Sequence, residues 1–281
     1  MKEKAEEPPA AAKTISTRAE QTQVEERAAI GANVVYEVIR REGDDELRRP
    51  PAALAWSGFA AGLSMGFSFV AEALLTSRLP DRPWLPLATK VGYSIGFLVV
   101  ILGRQQLFTE NTLTVILPLL LNKKLKTLLR VARLWAIVLA ANLVGTFLFA
   151  LSVAHLPIFD APTRQAMAAI AASHLGGSFG TVLLRAIFAG WLIALMVWLL
   201  PAAEHSRVAV IIILTYLVGL GGLAHIVAGS TVMFFAVATK TLSWGGYTFH
   251  FFLPALIGNI IGGVSLVAAL AHGQVVGGKE T

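Results

Sequence analysis

The sequence predicts an all-α membrane protein with six transmembrane helices. Of its 281 residues, 56% are hydrophobic and 14% are charged, whereas about 25% of the residues in a soluble domain are charged. Six apolar runs follow residue 50, and each is long enough to cross a hydrocarbon core about 30 Å thick. The basic residues cluster in the loops between these runs. The net charge of +6 is therefore typical of a chain oriented in a bilayer, and we expect no nucleic-acid partner.

Residues 1–49 differ in composition and are expected to form a cytoplasmic N-terminal segment. Residues 1–21 are rich in Ala, Lys, Glu, Pro and Thr, which is typical of disorder. Between residues 25 and 41, apolar side chains recur at helical spacing and predict an amphipathic helix at the membrane surface or against the protein. A solvated coiled segment is the alternative. We expect no cleavable signal peptide, because no short apolar run lies near the N-terminus.

Residues 50–273 are predicted to form the transmembrane channel domain, followed by a short cytoplasmic tail over residues 274–281. The six apolar runs cover about residues 52–77, 91–121, 134–156, 175–203, 208–239 and 249–271. A polar phrase at residues 103–111 interrupts the second run, and glycines on both sides of His225 interrupt the fifth. Broken helices at bilayer depth require a cavity or protein around them. An ionisable residue at such a break indicates a permeation path.

Positive charge predicts the orientation of the chain. Arg48 and Arg49 precede the first run. Five basic residues occupy the loop between the second and third runs: Lys123, Lys124, Lys126, Arg130 and Arg133. The loops on the other side carry fewer basic residues, namely Arg78, Arg82 and Lys90, then Arg164, then Lys240. Because basic loops stay on the cytoplasmic side, both termini are predicted to be cytoplasmic.

The two halves of the membrane domain repeat short patterns in the same order. Asn142-Leu-Val-Gly145 in the third run corresponds to Asn259-Ile-Ile-Gly262 in the sixth, and an Ala-Gly pair occurs in both the first and the fourth runs. Thr109 precedes Asn142 by 33 residues, and His225 precedes Asn259 by 34. Three runs per half predict an inverted 3+3 repeat in which the second and fifth helices are broken. Such repeats place a pathway near the middle of the membrane.

Three segments resemble the formate/nitrite transporter family, and the resemblance covers about residues 50–273. They are Leu107-Phe108-Thr109, Gly222-Leu-Ala-His225-Ile-Val-Ala-Gly229 and Ile257-Gly-Asn-Ile-Ile-Gly-Gly263. The resemblance implies an aquaporin-like protomer, a homopentamer with one pore per protomer, and a location in a bacterial inner membrane. It also implies a substrate that is a small monovalent anion of a weak acid, such as formate, nitrite, lactate or hydrosulfide.

The same resemblance implies roles for individual residues. His225 corresponds to the central pore histidine, and Thr109 to the threonine that faces it from a mobile loop. Leu107 and Phe108 correspond to apolar constriction residues beside that loop. Further pore-narrowing positions correspond to Tyr93, Phe97, Val218 and Ile193.

This chain departs from the family at four polar positions of the pore. Ala224 stands where Glu or Asn usually precedes the histidine, and Gly229 replaces an Asn four residues after it. Gly190 replaces an Asn in the fourth span, and His174 replaces a lysine ahead of that span. The usual positive charge of the vestibule is therefore absent or has become titratable, which puts the family's usual substrates in doubt.

Glu72 and Arg185 are charged residues inside apolar runs, where an unpaired charge is costly. Counted from the Ala-Gly pairs, both fall in the outer half of the membrane, so we expect them to form an ion pair. Other polar residues have two interpretations. His225 could be a neutral histidine bonded inside the bundle, Thr109 could satisfy broken-helix backbone, and His174 could be a surface residue. Two roles are open for Arg104, Glu110 and Asn111: they form a network that stabilises the loop, or they are polar groups of the pore.

The leading functional prediction is a channel or proton-linked transporter for a small weak-acid anion. The protein is expected to be surrounded by membrane lipid. The chain has no cysteine, and its histidines and carboxylates show no metal-binding or catalytic spacing. We therefore expect no enzyme activity, metal or cofactor. A neutral-solute channel of similar shape and a non-conducting membrane scaffold are the alternatives.

Overall fold

The computed structural model describes residues 30–266, and every regular element in that part of the chain is helical. The segment predicted to be disordered, the start of the predicted amphipathic helix, the end of the sixth run and the tail lie outside the described residues. The helices are α1 Ala32–Arg48, α2 Pro51–Arg78, α3 Leu85–Leu102, α4 Asn111–Asn122, α5 Leu125–His155, α6 Ala161–Ser173, α7 Phe179–Leu199, α8 Arg207–Leu220, α9 Ile226–Ala238 and α10 Trp244–Leu266.

Each of the six predicted apolar runs overlaps these helices, as far as the described residues extend. Helix α5 begins nine residues before the predicted third run, so Lys126, Arg130 and Arg133, which were expected in a loop, lie on this helix. Five helices are long and apolar enough to cross a membrane, namely α2, α3, α5, α7 and α10. The second run continues beyond α3 as the short helix α4, and the fifth run consists of the short apolar helices α8 and α9. Both helices predicted to be broken are therefore interrupted where the polar and glycine-rich phrases occur.

Helix α1 extends seven residues beyond the predicted end at Arg41. Its buried residues Val35, Ile39, Gly43 and Leu47 are spaced four apart, so they form one apolar stripe along the whole helix. The prediction stopped too early because the residues between the buried positions are charged. A Cβ on Gly43 would lie 2.1 Å from the Thr114 carbonyl oxygen, so α1 packs closely against α4.

Helix α6 was not predicted and occupies what was expected to be a loop ahead of the fourth run. Its first turn is capped by the Asp160 carboxylate, which accepts a hydrogen bond of 3.1 Å from the Thr163 amide. Ala166, Met167 and Ile170 are buried at helical spacing. The run of alanines lowers the apolar contrast that would have marked this helix in the sequence.

Two helix pairs pack with equivalent close contacts, α2 with α5 and α7 with α10. A Cβ on Gly62 of α2 would lie 2.3 Å from the carbonyl oxygen of Asn142 on α5. A Cβ on Gly190 of α7 would lie 2.4 Å from the carbonyl oxygen of Asn259 on α10. Only glycine permits these backbones to approach so closely. The matched contacts support the predicted repeat.

Gly62→Ala and Gly190→Ala should each destabilise the protein by about 1–3 kcal/mol, because a methyl group would force packed backbones apart. Gly180→Ala is the matched control, since nothing lies within 4 Å of a Cβ at that position. The measurement is the melting temperature of the detergent-solubilised protein. Equal melting temperatures for all three variants would contradict the close packing.

Candidate functional site

The two helix breaks leave backbone groups that need hydrogen-bond partners at membrane depth. In the first break, the amide side chain of Asn142 on α5 supplies three bonds. Its Nδ2 donates to the carbonyl oxygens of Gly58 at 2.7 Å and Gln106 at 2.8 Å. Its Oδ1 accepts from the Phe108 amide at 2.9 Å. A single buried side chain thus ties the break to two neighbouring helices.

Asn259 on α10 makes the same three bonds at the second break. Its Nδ2 donates to the carbonyl oxygens of Ala186 at 2.8 Å and Ala224 at 2.9 Å. Its Oδ1 accepts from the Ile226 amide at 2.8 Å. Both asparagines are completely buried. The sequence marked them as repeat positions but did not reveal that their amides hold the breaks in place.

These bonds refine the correspondence between the halves. Phe108 and Ile226 are equivalent because each donates its amide to the anchoring asparagine. The residue before each is then equivalent too, so Leu107, and not Thr109, occupies the position of His225. Counting residues to the asparagine missed this because Asn142 follows Phe108 by 34 residues, whereas Asn259 follows Ile226 by 33. The breaks themselves share one backbone turn, since the equivalent residues Arg104 and Gly222 have left-handed φ values of 48° and 57°.

His225 and Thr109 join the two breaks. The Nε2 atom of His225 lies 2.7 Å from the Thr109 Oγ1, and both side chains are buried. His225 is also the N-cap of α9, where its Nδ1 accepts a hydrogen bond of 3.1 Å from the Ala228 amide. Because Nδ1 is an acceptor, Nε2 carries the proton of the neutral ring and donates it to Thr109. The hydroxyl proton of Thr109 then remains for another partner.

The short helices direct positive potential towards this contact. Helix α4 begins at Asn111, two residues after Thr109, and α9 begins at Ile226, next to His225. The N-terminus of a helix carries a partial positive charge, which favours an anion. The middle of the protein therefore combines two helix N-termini, a threonine hydroxyl and a histidine N–H.

A cavity of about 180 Å³ reaches His225 from the side on which α2 ends, and we call it the distal cavity. Four of the predicted site residues line it, namely Tyr93, His174, His225 and Gly229, together with both members of the predicted ion pair, Glu72 and Arg185. Lys90 and Ala224 also contribute to its lining. The cavity thus connects a charged group of side chains to the histidine.

A second cavity of about 310 Å³ lies beside α1, and we call it the proximal cavity. Its lining includes Arg104, Glu110 and Asn111, the three polar residues that had two interpretations. Asn111 also belongs to a loop-stabilising network, because its Nδ2 donates to the Gln106 Oε1 at 3.0 Å. Asn111 therefore takes part in both arrangements.

Buried apolar side chains separate the two cavities. Phe97 lies one turn from Tyr93 of the distal lining and one turn from Ile101 of the proximal lining, and its ring centroid is 5.0 Å from that of His225. Three other predicted pore residues, Leu107, Val218 and Ile193, are completely buried and line neither cavity. Phe108 also lines neither, and its ring packs against Trp135 at a centroid distance of 5.8 Å.

The predicted ion pair between Glu72 and Arg185 is wrong. The Glu72 carboxylate forms its ion pair with the ammonium group of Lys90, and the two side chains are 6% and 22% exposed. Lys90 opens a 3-10 turn of α3 that packs tightly on α2, since a Cβ on Gly92 would lie 2.6 Å from the Glu72 amide. The prediction failed because it assigned Lys90 to a loop. The lysine directly preceding the second apolar run was the available signal.

Packing explains two of the departures from the family. A Cβ on Gly229 would lie 2.3 Å from the Phe251 ring, so this aromatic side chain occupies the space that a side chain at position 229 would need. Gly190 contacts the Asn259 backbone and does not line either cavity, so its predicted place in the pore is corrected to a helix contact.

Comparison with known proteins identifies a common family. The family model described as formate/nitrite transporter matches residues 33–273. The inner membrane protein YfdC of Escherichia coli strain K12 is 40% identical over 251 residues, covering 89% of this chain and 81% of that protein.

Two solved structures share the fold. An FNT family ion channel has a TM-score of 0.73 and 19% identity, covering 83% of this chain and 95% of that one. A pentameric formate channel with formate bound has a TM-score of 0.66 and 20% identity, covering 83% and 97%. The resemblance carried by the sequence motifs is therefore confirmed, and so is the aquaporin-like membrane fold.

A double-mutant cycle tests the ion pair of the distal cavity. Glu72→Gln and Lys90→Met should each destabilise the protein by up to about 3–5 kcal/mol, because each leaves a buried charge without its partner. The double variant should recover much of this loss. Melting temperatures of the detergent-solubilised protein provide the readout, and Arg185→Gln combined with Glu72→Gln is the control cycle. Additive losses for Glu72 and Lys90 would contradict their pairing.

Proposed function

We propose, since the chain belongs to the formate/nitrite transporter family, that it passes small monovalent anions of weak acids across a bacterial inner membrane. The hydrogen bond between His225 and Thr109 carries this proposal. It lies where the distal cavity ends and where two short helices begin. Transport, and not catalysis, is the function that such a site supports.

The chemistry of the passage follows from the apolar separation of the cavities. A bare carboxylate is costly to move past buried apolar side chains such as Phe97 and Ile193, whereas its neutral acid is not. The anion therefore takes up a proton near His225 and crosses as the acid. The Nε2–H of His225 and the hydroxyl of Thr109 hold the anion by hydrogen bonds while the helix N-termini favour its charge.

His225 acts in this scheme as a hydrogen-bond donor and not as the source of the proton. Both ring nitrogens are engaged, Nε2 by Thr109 and Nδ1 by the Ala228 amide. A second ring proton would have to sit on Nδ1. There it would face the Ala228 amide, another donor, and break the hydrogen bond that caps α9. The transported proton is therefore supplied by the aqueous phase through the distal cavity, where a hydronium ion gives its proton to the anion and becomes water.

The assembly and orientation complete the proposal. The chain forms a homopentamer with one pore in each protomer, an assembly supported by its fold similarity to a pentameric formate channel. Residues 50–273 form the channel, and both termini lie in the cytoplasm. The proximal cavity then opens to the cytoplasm and the distal cavity to the other side of the membrane.

A neutral-solute channel is the second candidate. Ala224 and Gly229 in the distal cavity carry no polar side-chain group, which favours uncharged solutes. Flux of formate, nitrite and glycerol into liposomes containing the purified protein separates the candidates. Acid-coupled flux or anion current supports the first, and glycerol flux without either supports the second.

Substitutions at the histidine test its role. His225→Phe should retain the oligomer and abolish formate flux, because it removes the Nε2–H donor. His225→Asn should restore the helix cap, since asparagine is a good N-cap residue, but should not restore flux. Thr109→Ser keeps the hydroxyl and is the control expected to conduct. Undiminished flux in a folded His225→Phe protein would exclude the proposed role.

The pH dependence of flux tests His174. Burial lowers the pKa of His174, and so do the positive charges of Lys90 and Arg185, while the Ile170 carbonyl and Glu72 oppose the shift. The residue therefore gains its charge only below its ordinary pKa of about 6.5. As it protonates at lower pH, anion uptake should rise relative to His174→Asn.

His174→Lys is positively charged throughout this range, so its uptake relative to His174→Asn should be raised at neutral pH as well. The ratio to His174→Asn removes the effect of pH on the weak acid itself. Identical pH profiles for the parent, lysine and asparagine proteins would show that His174 does not supply charge to the distal cavity.

A further inference from the structure

The distal cavity gathers charged side chains from separate helices at one place. Glu72 comes from α2, Lys90 from α3 and Arg185 from α7, and His174 follows the end of α6. The same cavity continues to His225. Any ion that reaches His225 through this cavity therefore passes these side chains.

The formal charges of these three groups sum to an excess of positive charge. Lys90 and Arg185 contribute +2 and Glu72 contributes −1, so the cavity carries +1 while His174 is neutral. Glu72 is committed to Lys90 through their ion pair. Arg185 has no ion pair with any residue from 30 to 266, and its side chain is exposed. The excess charge therefore resides on Arg185.

A guanidinium group suits this position chemically. It presents parallel N–H donors that match the two oxygens of a small carboxylate or of nitrite, and it stays protonated at every working pH. His174, in contrast, directs its Nδ1 to the Ile170 carbonyl at 2.8 Å, which occupies one of its two nitrogens. Arg185 is thus the permanent cation of the cavity that is free to bind an anion.

We infer that Arg185 is an anion-binding residue that collects small oxyanions in the distal cavity before they reach His225. The Glu72–Lys90 pair sets the strength of this site, because Glu72 cancels the charge of Lys90 and prevents two free cations from trapping the anion. The inference rests on the proposed function in placing His225 next along the path. The site itself needs only the charges and the cavity.

Formate uptake into proteoliposomes at low and high salt tests the role of Arg185 in transport. At low ionic strength, Arg185→Gln should raise the half-saturating formate concentration by about 3- to 10-fold, because it removes the charge that concentrates anions in the cavity. The difference should shrink at about 1 M salt, where the Debye length is about 3 Å. Arg185→Lys should retain most of the effect of the parent residue.

Arg164→Gln is the matched control, since Arg164 is an exposed arginine of α6 that does not line the distal cavity. An Arg185→Gln protein with the same salt-dependent uptake as Arg164→Gln would overturn the inference. If Arg185→Gln does not fold, formate uptake by Glu72→Gln is compared with uptake by Arg185→Lys. Glu72→Gln frees the charge of Lys90 and should lower the half-saturating formate concentration. An unchanged concentration would overturn the inference.

Binding is measured separately from transport. Formate added at constant ionic strength should raise the melting temperature of the solubilised parent protein, and Arg185→Gln should lose this rise. If formate raises the melting temperature of the parent protein but is not transported by it, only the proposed function is overturned. A parent protein without stabilisation, or an Arg185→Gln protein stabilised as much as the parent, would overturn the binding site.

Discussion

The hydrogen bonds made by two buried asparagine side chains are the constraint on which the rest of this structure depends. A helix broken inside a bilayer exposes amides and carbonyls that have no water to bond, and each unsatisfied group costs several kcal/mol. Asn142 and Asn259 each satisfy three such groups. With the breaks held in this way, α4 and α9 both begin in the middle of the protein, and Thr109 lies within hydrogen-bond distance of His225.

The site that results is held by hydrogen bonds in its polar part and consists of buried side chains in its apolar part. The position of His225 is determined by two bonds, one to the other break and one to its own helix. Together these bonds specify a neutral ring with a defined tautomer. Under the proposed function, the buried apolar side chains between the cavities favour passage of the neutral acid over passage of the bare anion.

The charged groups of the distal cavity show that the packing of neighbouring helices determines which ion pairs a residue forms. Lys90 would be an ordinary interfacial lysine if the start of α3 did not pack on α2. Close packing at Gly92 places it beside Glu72. The pairing removes Glu72 as a partner for Arg185 and leaves a single excess positive charge in a cavity that leads to the histidine.

The sequence by itself determined the helical class, the six apolar runs, the location of both breaks and the choice of His225 and Thr109. These follow from hydropathy and from glycines and polar residues along a continuous stretch of chain, which are local properties. The family resemblance followed from short motifs at the same breaks. The tertiary structure alone decided the partner of Glu72, the helical state of residues 161–173 and the alignment of Leu107 with His225. It also decided that Gly190 is a helix contact. Each of these depends on side chains or backbones from helices far apart in sequence, whose distances are set by packing and cannot be counted along the chain.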